Sequence, residues 1–185
     1  SLNNFNTGLP GTLQKCACQS GVFRLALKYF PKERPDLFQE LFSKGFLIEE
    51  ERKGRKGYYV PVAPKDMRKP LLEHLMSLPD RENCEVCKRI FREVGEFLAV
   101  TCIETDDILH PAAKGRIFFG RMVKNPTCFR LMQEGARERA PRQRLIAADS
   151  GLAKTSLMKQ LEDHPHYTVA QFAQAIGSVY FTQVS

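Results

Sequence analysis

No window of the 185 residues approaches the roughly 18 consecutive apolar residues of a membrane span. Ser1 to Thr12 also lacks the basic start and apolar run of a signal peptide. A soluble, unsecreted, intracellular chain is therefore expected, cytoplasmic or nuclear, with no membrane partner. Cysteine is sparse for a disulfide scaffold of this length, and several of the six (Cys16, Cys18, Cys84, Cys87, Cys102 and Cys128) fall inside apolar helical patterns. That placement fits reduced thiols. Internal repeats and low-complexity tracts are missing, which argues against solenoid and linker-dominated architectures. Catalytic signatures are missing too: there is no nucleophile elbow, phosphate loop, metalloprotease helix or deaminase motif. His110 is followed by Pro-Ala-Ala, without the glutamate that deaminase chemistry requires, and Asp106-Asp107 reads more simply as an acidic pair at a helix start, charge on the helix dipole, than as a metal pair. No enzymatic activity is expected. The start at Ser1 rather than methionine reads as a processed product or a piece of something longer.

What is present is ordinary globular material, with 43% hydrophobic and 26% charged residues, enough apolar area to offset the entropy of ordering the chain. The charge is distributed less evenly. Between residues 110 and 144 stand nine Lys/Arg against only Glu134 and Glu138, an excess equal to the net charge of +7, so the remainder sums to zero. Clustered cations add their fields, and such a segment points to an anionic partner more strongly than the same excess spread evenly.

Apolar spacing predicts helices over Val22 to Phe30, stopped by Pro31, and from Pro35 to Gly45. Phe46-Leu47-Ile48 and Tyr58-Tyr59-Val60 are short runs flanking a charged stretch that holds Gly54 and Gly57, which reads as a β-hairpin. Leu71, Leu72, Leu75 and Met76 mark one further helix, and Val86, Ile90, Val94, Phe97 and Leu98 a longer one. Ile117-Phe118-Phe119 is too short to separate strand from buried helix. From Pro141 onward three helical segments are expected. The resulting fold class is mainly α with one β-hairpin, divided at 1–64, 65–135 and 136–185.

Residues 35–62, a helix followed by a strand, a basic loop and a returning strand, resemble the second half of a winged-helix module. The resemblance implies a wing that carries Arg52, Lys53, Arg55 and Lys56 toward phosphates, because these lie on the outside of a duplex. Two features depart from that pattern: Glu49, Glu50 and Glu51 adjoin the cations, and the helix Asp36 to Phe42 offers no base-reading Arg or Asn. Residues 143–177 resemble the helix-turn-helix of repressor-like and antitoxin-like regulators, on Ala147, Gly151, Leu152, Leu157 and Leu161. This implies that Lys154, Thr155, Ser156 and Lys159 face outward from the second helix. With Lys114, Arg116, Arg121, Arg137, Arg139, Arg142 and Arg144, these residues make nucleic acid, DNA favoured, the expected partner. The alternative is an adaptor that grips an acidic protein through a winged-helix or death-domain-like bundle. No cofactor is expected. Cys84-Glu-Val-Cys87 is the one CxxC, and zinc would need partners such as Cys102, Cys128 or His110, whose spacing is irregular. Both thiols also fit the apolar stripe of Phe91, Val94 and Leu98, so a core role is the simpler expectation.

Overall fold

The computed structural model describes residues 13–52, 54–110 and 115–147. After a short turn, α1 (Leu13–Cys16), α2 (Gln19–Glu33) buries Val22, Leu25, Ala26 and Phe30, the residues that share its apolar stripe. The expectation that Pro31 ends this helix is corrected. Proline forfeits the bond its missing N–H would make and crowds the carbonyl four residues back, but the Arg34 N–H still closes onto Phe30 O, and the helix continues to Glu33. Pro35 then opens α3 (Pro35–Ser43), where its fixed φ suits the first helical position. The end of α3 is a Schellman motif, in which Gly45 at φ +67° donates to Phe42 O and Phe46 donates to Leu41 O. That reversal sends the chain into β1 (Ile48–Arg52), paired antiparallel with β2 (Arg55–Tyr59).

Two helices follow, α4 (Arg68–Arg81) and the 25-residue α5 (Glu85–Leu109). Along α5, Cys87, Ile90, Phe91, Val94, Leu98 and Cys102 are buried; Ile90, Val94 and Leu98 of the expected stripe are among them, while Val86 and Phe97 are half-buried. The chain then runs through β3 (Gly115–Phe118), a single turn α6 (Arg121–Lys124), α7 (Pro126–Arg139) and β4 (Arg144–Ala147). The Asn125 side chain caps α7 by accepting from the Cys128 N–H at 2.9 Å, and Pro126 takes the first helical position. Strands β3 and β4 pair in parallel, Gly115 opposite Arg144 and Phe118 opposite Ala147, so residues 115–147 form a β-helix-β crossover unit. Among the described residues the protein is mainly helical with one small antiparallel hairpin, as its patterning indicates, and the parallel pair is an addition.

The core is built around α5, which packs most extensively on α7 and also against α2, α1 and α4. At the α5/α7 crossing the two backbones touch through glycines. A Cβ at Gly95 would lie 2.0 Å from Met132 O, and one at Gly135 would lie 2.0 Å from Arg92 O. No helix among the described residues is long and apolar enough to cross a membrane.

Candidate nucleic-acid interface

The expected site residues fall into four groups. In the hairpin, Arg52 pairs with Arg55 across the turn, Gly54 supplies φ +70°, and Glu51 stands opposite Lys56. Tyr58 lies on the same strand face as Glu51 and Lys56, and its ring meets Phe38 and Phe42 edge-on at 5.3 and 5.6 Å, which fastens the wing to α3. A carboxylate directly across the ladder from Lys56 offsets part of the wing's positive charge. Lys53 lies outside the described residues, as does Lys114.

The helix that would act as reader, α3, has its own charges occupied. Asp36 accepts from Arg34 at 2.6 Å, and that guanidinium holds its carboxyl down to about 2. Glu40 meets Lys44 at 2.5 Å and Arg81 at 3.5 Å.

In the middle segment the cations are likewise paired. Arg116 donates to Asp106, a carboxylate that also accepts from the Gln143 Nε2. Arg121 meets Glu73 at 3.2 Å, and Arg130 pairs with Glu134 one turn along α7. Arg116 and Arg121 hold the crossover unit to α5 and α4, and Arg130 is spent within α7, so the sequence excess overstates the free charge.

Around the end of α7 the arrangement differs. Arg137, Arg139, Arg142 and Arg144 are all exposed, and none makes a salt bridge or side-chain hydrogen bond among the described residues. Arg137 and Arg139 occupy the last turn of the helix, where cations complement its dipole, Arg142 is on the following turn, and Arg144 begins β4. A cleft of about 340 Å³ lies between Arg137 and Arg144, lined also by Gln133, Gln143 and Leu145. The Gln133 Nε2 donates to Leu145 O at 2.9 Å and fixes β4 against α7. A second cleft of about 380 Å³ has Arg142 on its rim together with Ile103, Asp107 and Gln143.

The helix-turn-helix expectation is corrected at its first residues. Residues 144–147 are a strand, not the opening of a helix, because β3 offers a ladder and Leu145 is buried while Arg144 is exposed. Lys154, Thr155, Ser156 and Lys159, and the rest of that resemblance to residue 177, lie outside the described residues.

Among the described residues no three His, Cys, Asp or Glu side chains form a metal-holding group. Cys102 follows Cys87 by fifteen residues on one straight helix, about 22 Å along its axis, too far to share an ion. Cys128 is buried against Met76 O, and burial pushes its thiol up to about 12. Sequence reasoning missed the surroundings of Cys84, whose sulfur accepts from the Arg34 Nη1 at 3.1 Å and from the Cys87 N–H at 3.4 Å. The CxxC itself was the visible signal, but an arginine fifty residues earlier was not.

Among the described residues these elements define a mainly helical protein with an antiparallel hairpin in its N-terminal part and a basic end to α7. Comparison with protein-family models, with curated proteins and with solved structures found no match.

Proposed function

We propose that this is a nucleic-acid-binding protein whose phosphate contacts are made by Arg137, Arg139, Arg142 and Arg144. One observation carries the reading: four exposed arginines within eight residues form no salt bridge among the described residues, Arg139 acting on the Glu96 carboxyl only at longer range, whereas Arg116, Arg121 and Arg130 are all paired. Unpaired guanidiniums on one helix end and its turn present planar, multidentate donors to phosphate oxygens. DNA is the favoured form.

The test is a fluorescence anisotropy titration with duplex DNA, single-stranded DNA and RNA at several salt concentrations. Four phosphate contacts on a duplex give a log-log slope of affinity against salt near −3.6, and Arg142→Ala with Arg144→Ala reduces its magnitude by about 1.8. Absence of binding to all three at low salt, where electrostatics is strongest, overturns the reading.

A second reading concerns the winged part alone. Glu51 opposite Lys56, and the occupied charges of Asp36 and Glu40, favour a protein partner for this face over a phosphate backbone. An adaptor would prefer its acidic partner over a random duplex at physiological salt.

A further inference from the structure

Cys84 is the N-cap of α5, and Cys87 is the third residue of that helix. The Cys84 sulfur accepts two hydrogen bonds, from the Cys87 N–H at 3.4 Å and from the Arg34 guanidinium at 3.1 Å. The end of α5 and a guanidinium thus converge as donors on one sulfur, and a thiolate rather than a thiol is the form that attacks disulfides. Both cysteines are buried, Cys84 4% and Cys87 1% exposed, and at Cys87 burial, followed by the neighbouring Cys84, pushes the thiol far up. Arg34 also meets Asp36 at 2.6 Å and Glu82 at 3.9 Å, so its charge is shared, but its donor to Cys84 comes from Nη1 while Asp36 is held by Nε and Nη2.

We propose that Cys84 and Cys87 form a redox-active dithiol, a site of thiol–disulfide exchange in which Cys84 attacks and Cys87 resolves. The inference is independent of the nucleic-acid reading. Residues three apart on a helix have Cβ atoms about 5 to 6 Å apart, beyond the roughly 3.5 to 4.5 Å of a disulfide, but Cys84 is the N-cap, in extended backbone (φ −78°, ψ 107°) outside the helix, so bridging requires a backbone shift at that residue while α5 stays intact. Cys84 itself is 4% exposed, so a disulfide reaches the sulfur only when the turn between α4 and α5 opens; Asn83, next to it, is exposed, and the Arg34 side chain against the sulfur is 26% exposed.

The oxidant is a small disulfide, such as glutathione disulfide. The Cys84 thiolate attacks one of its sulfurs, forms a mixed disulfide and expels one thiolate. Cys87 then loses its proton and attacks the Cys84 sulfur, which breaks the mixed disulfide and expels the second. The protons of the two protein thiols end on the two released thiols. One disulfide is reduced as one is formed.

The experiment uses the full chain, reduced and then equilibrated with glutathione and glutathione disulfide at several ratios. Free thiols are alkylated, and the tryptic peptide Glu82 to Lys88 is read by mass spectrometry, since it holds Cys84, Cys87 and no other cysteine. The expected product is that peptide lighter by two hydrogen atoms, formed while Cys102 and Cys128 stay reduced. Cys87→Ser should trap glutathione on Cys84, whereas Cys84→Ser should leave Cys87 unmodified. Arg34→Met, checked for an unchanged melting profile, should slow oxidation of the peptide about tenfold. A peptide that stays reduced in large excess of glutathione disulfide overturns the proposal. So does a Cys87 that reacts in Cys84→Ser as readily as Cys84 does in Cys87→Ser.

Discussion

His74 shows what burial does to a single titratable side chain. It lies on α4 under Phe46, their rings 5.2 Å apart, with its Nε2 3.7 Å from the Glu40 carboxylate. Burial is the main influence and lowers its pKa below the ordinary 6.5; Lys44 and then Arg81 push the same way, while Glu40 opposes. The neutral form is therefore the one that fits the fold. Above 6.5 neither folded nor unfolded chain protonates this ring, and the group has no effect on stability. As pH falls below 6.5 the unfolded chain takes up the proton first, so stability declines until the folded value is passed. Asp36 and Asp66, both held to about 2 by arginines, act in the same direction but only as pH falls below their ordinary 3.8. Melting temperatures between pH 8 and pH 5 isolate the histidine: the wild type should lose stability toward pH 5, and His74→Phe should flatten the curve. Identical slopes in the two proteins would show that His74 is not the group responsible.

Between elements, the α5/α7 crossing depends on the absence of two side chains. With Cβ positions 2.0 Å from backbone oxygens on the opposite helix, an alanine at Gly95 or Gly135 cannot fit unless the helices separate. The clash is against backbone, which does not rotate away, so the usual gain from replacing a helical glycine is reversed. Each substitution should cost about 2 to 3 kcal/mol, a drop of roughly 6 to 10 °C in melting temperature for a domain of this size. An unchanged melt would place the helices further apart than described. Neither glycine is recognisable from the sequence, where Gly95 looks like a weak point inside a good helical pattern. The stripe Ile90, Phe91, Val94, Leu98 and the reversal at Gly45 were legible, because both arise from neighbours within a few residues. The strand at Arg144–Ala147 was not, since a four-residue apolar segment takes its form from β3, nearly thirty residues earlier. The same reason applies to the basic segment: only the positions of Asp106, Glu73 and Glu134 show which arginines are occupied.

Across the whole molecule, the two basic features attach at different points of α5. The wing hangs from α3, whose first turn is tied to Cys84 through Arg34, whereas the turn after α7 reaches Asp106 through Gln143. Cys84 and Asp106 are twenty-two residues apart along the helix, about 33 Å. Charges farther apart than the roughly 8 Å screening length at physiological salt act on a bound polyanion almost independently, and additivity of the two clusters tests for that separation. Replacing Arg52, Lys53, Arg55 and Lys56 with alanine should change stability by less than about 0.5 kcal/mol. Its effect on duplex affinity should be smaller than that of Arg137, Arg139, Arg142 and Arg144 replaced together, because a carboxylate already faces Lys56. Combining both sets should give the sum of the separate losses within about 0.5 kcal/mol. The three variants and the wild type, titrated with one duplex at one salt concentration, form the required cycle. A combined loss well short of the sum, or well beyond it, would mean that wing and helix end grip the same stretch of backbone as one continuous face.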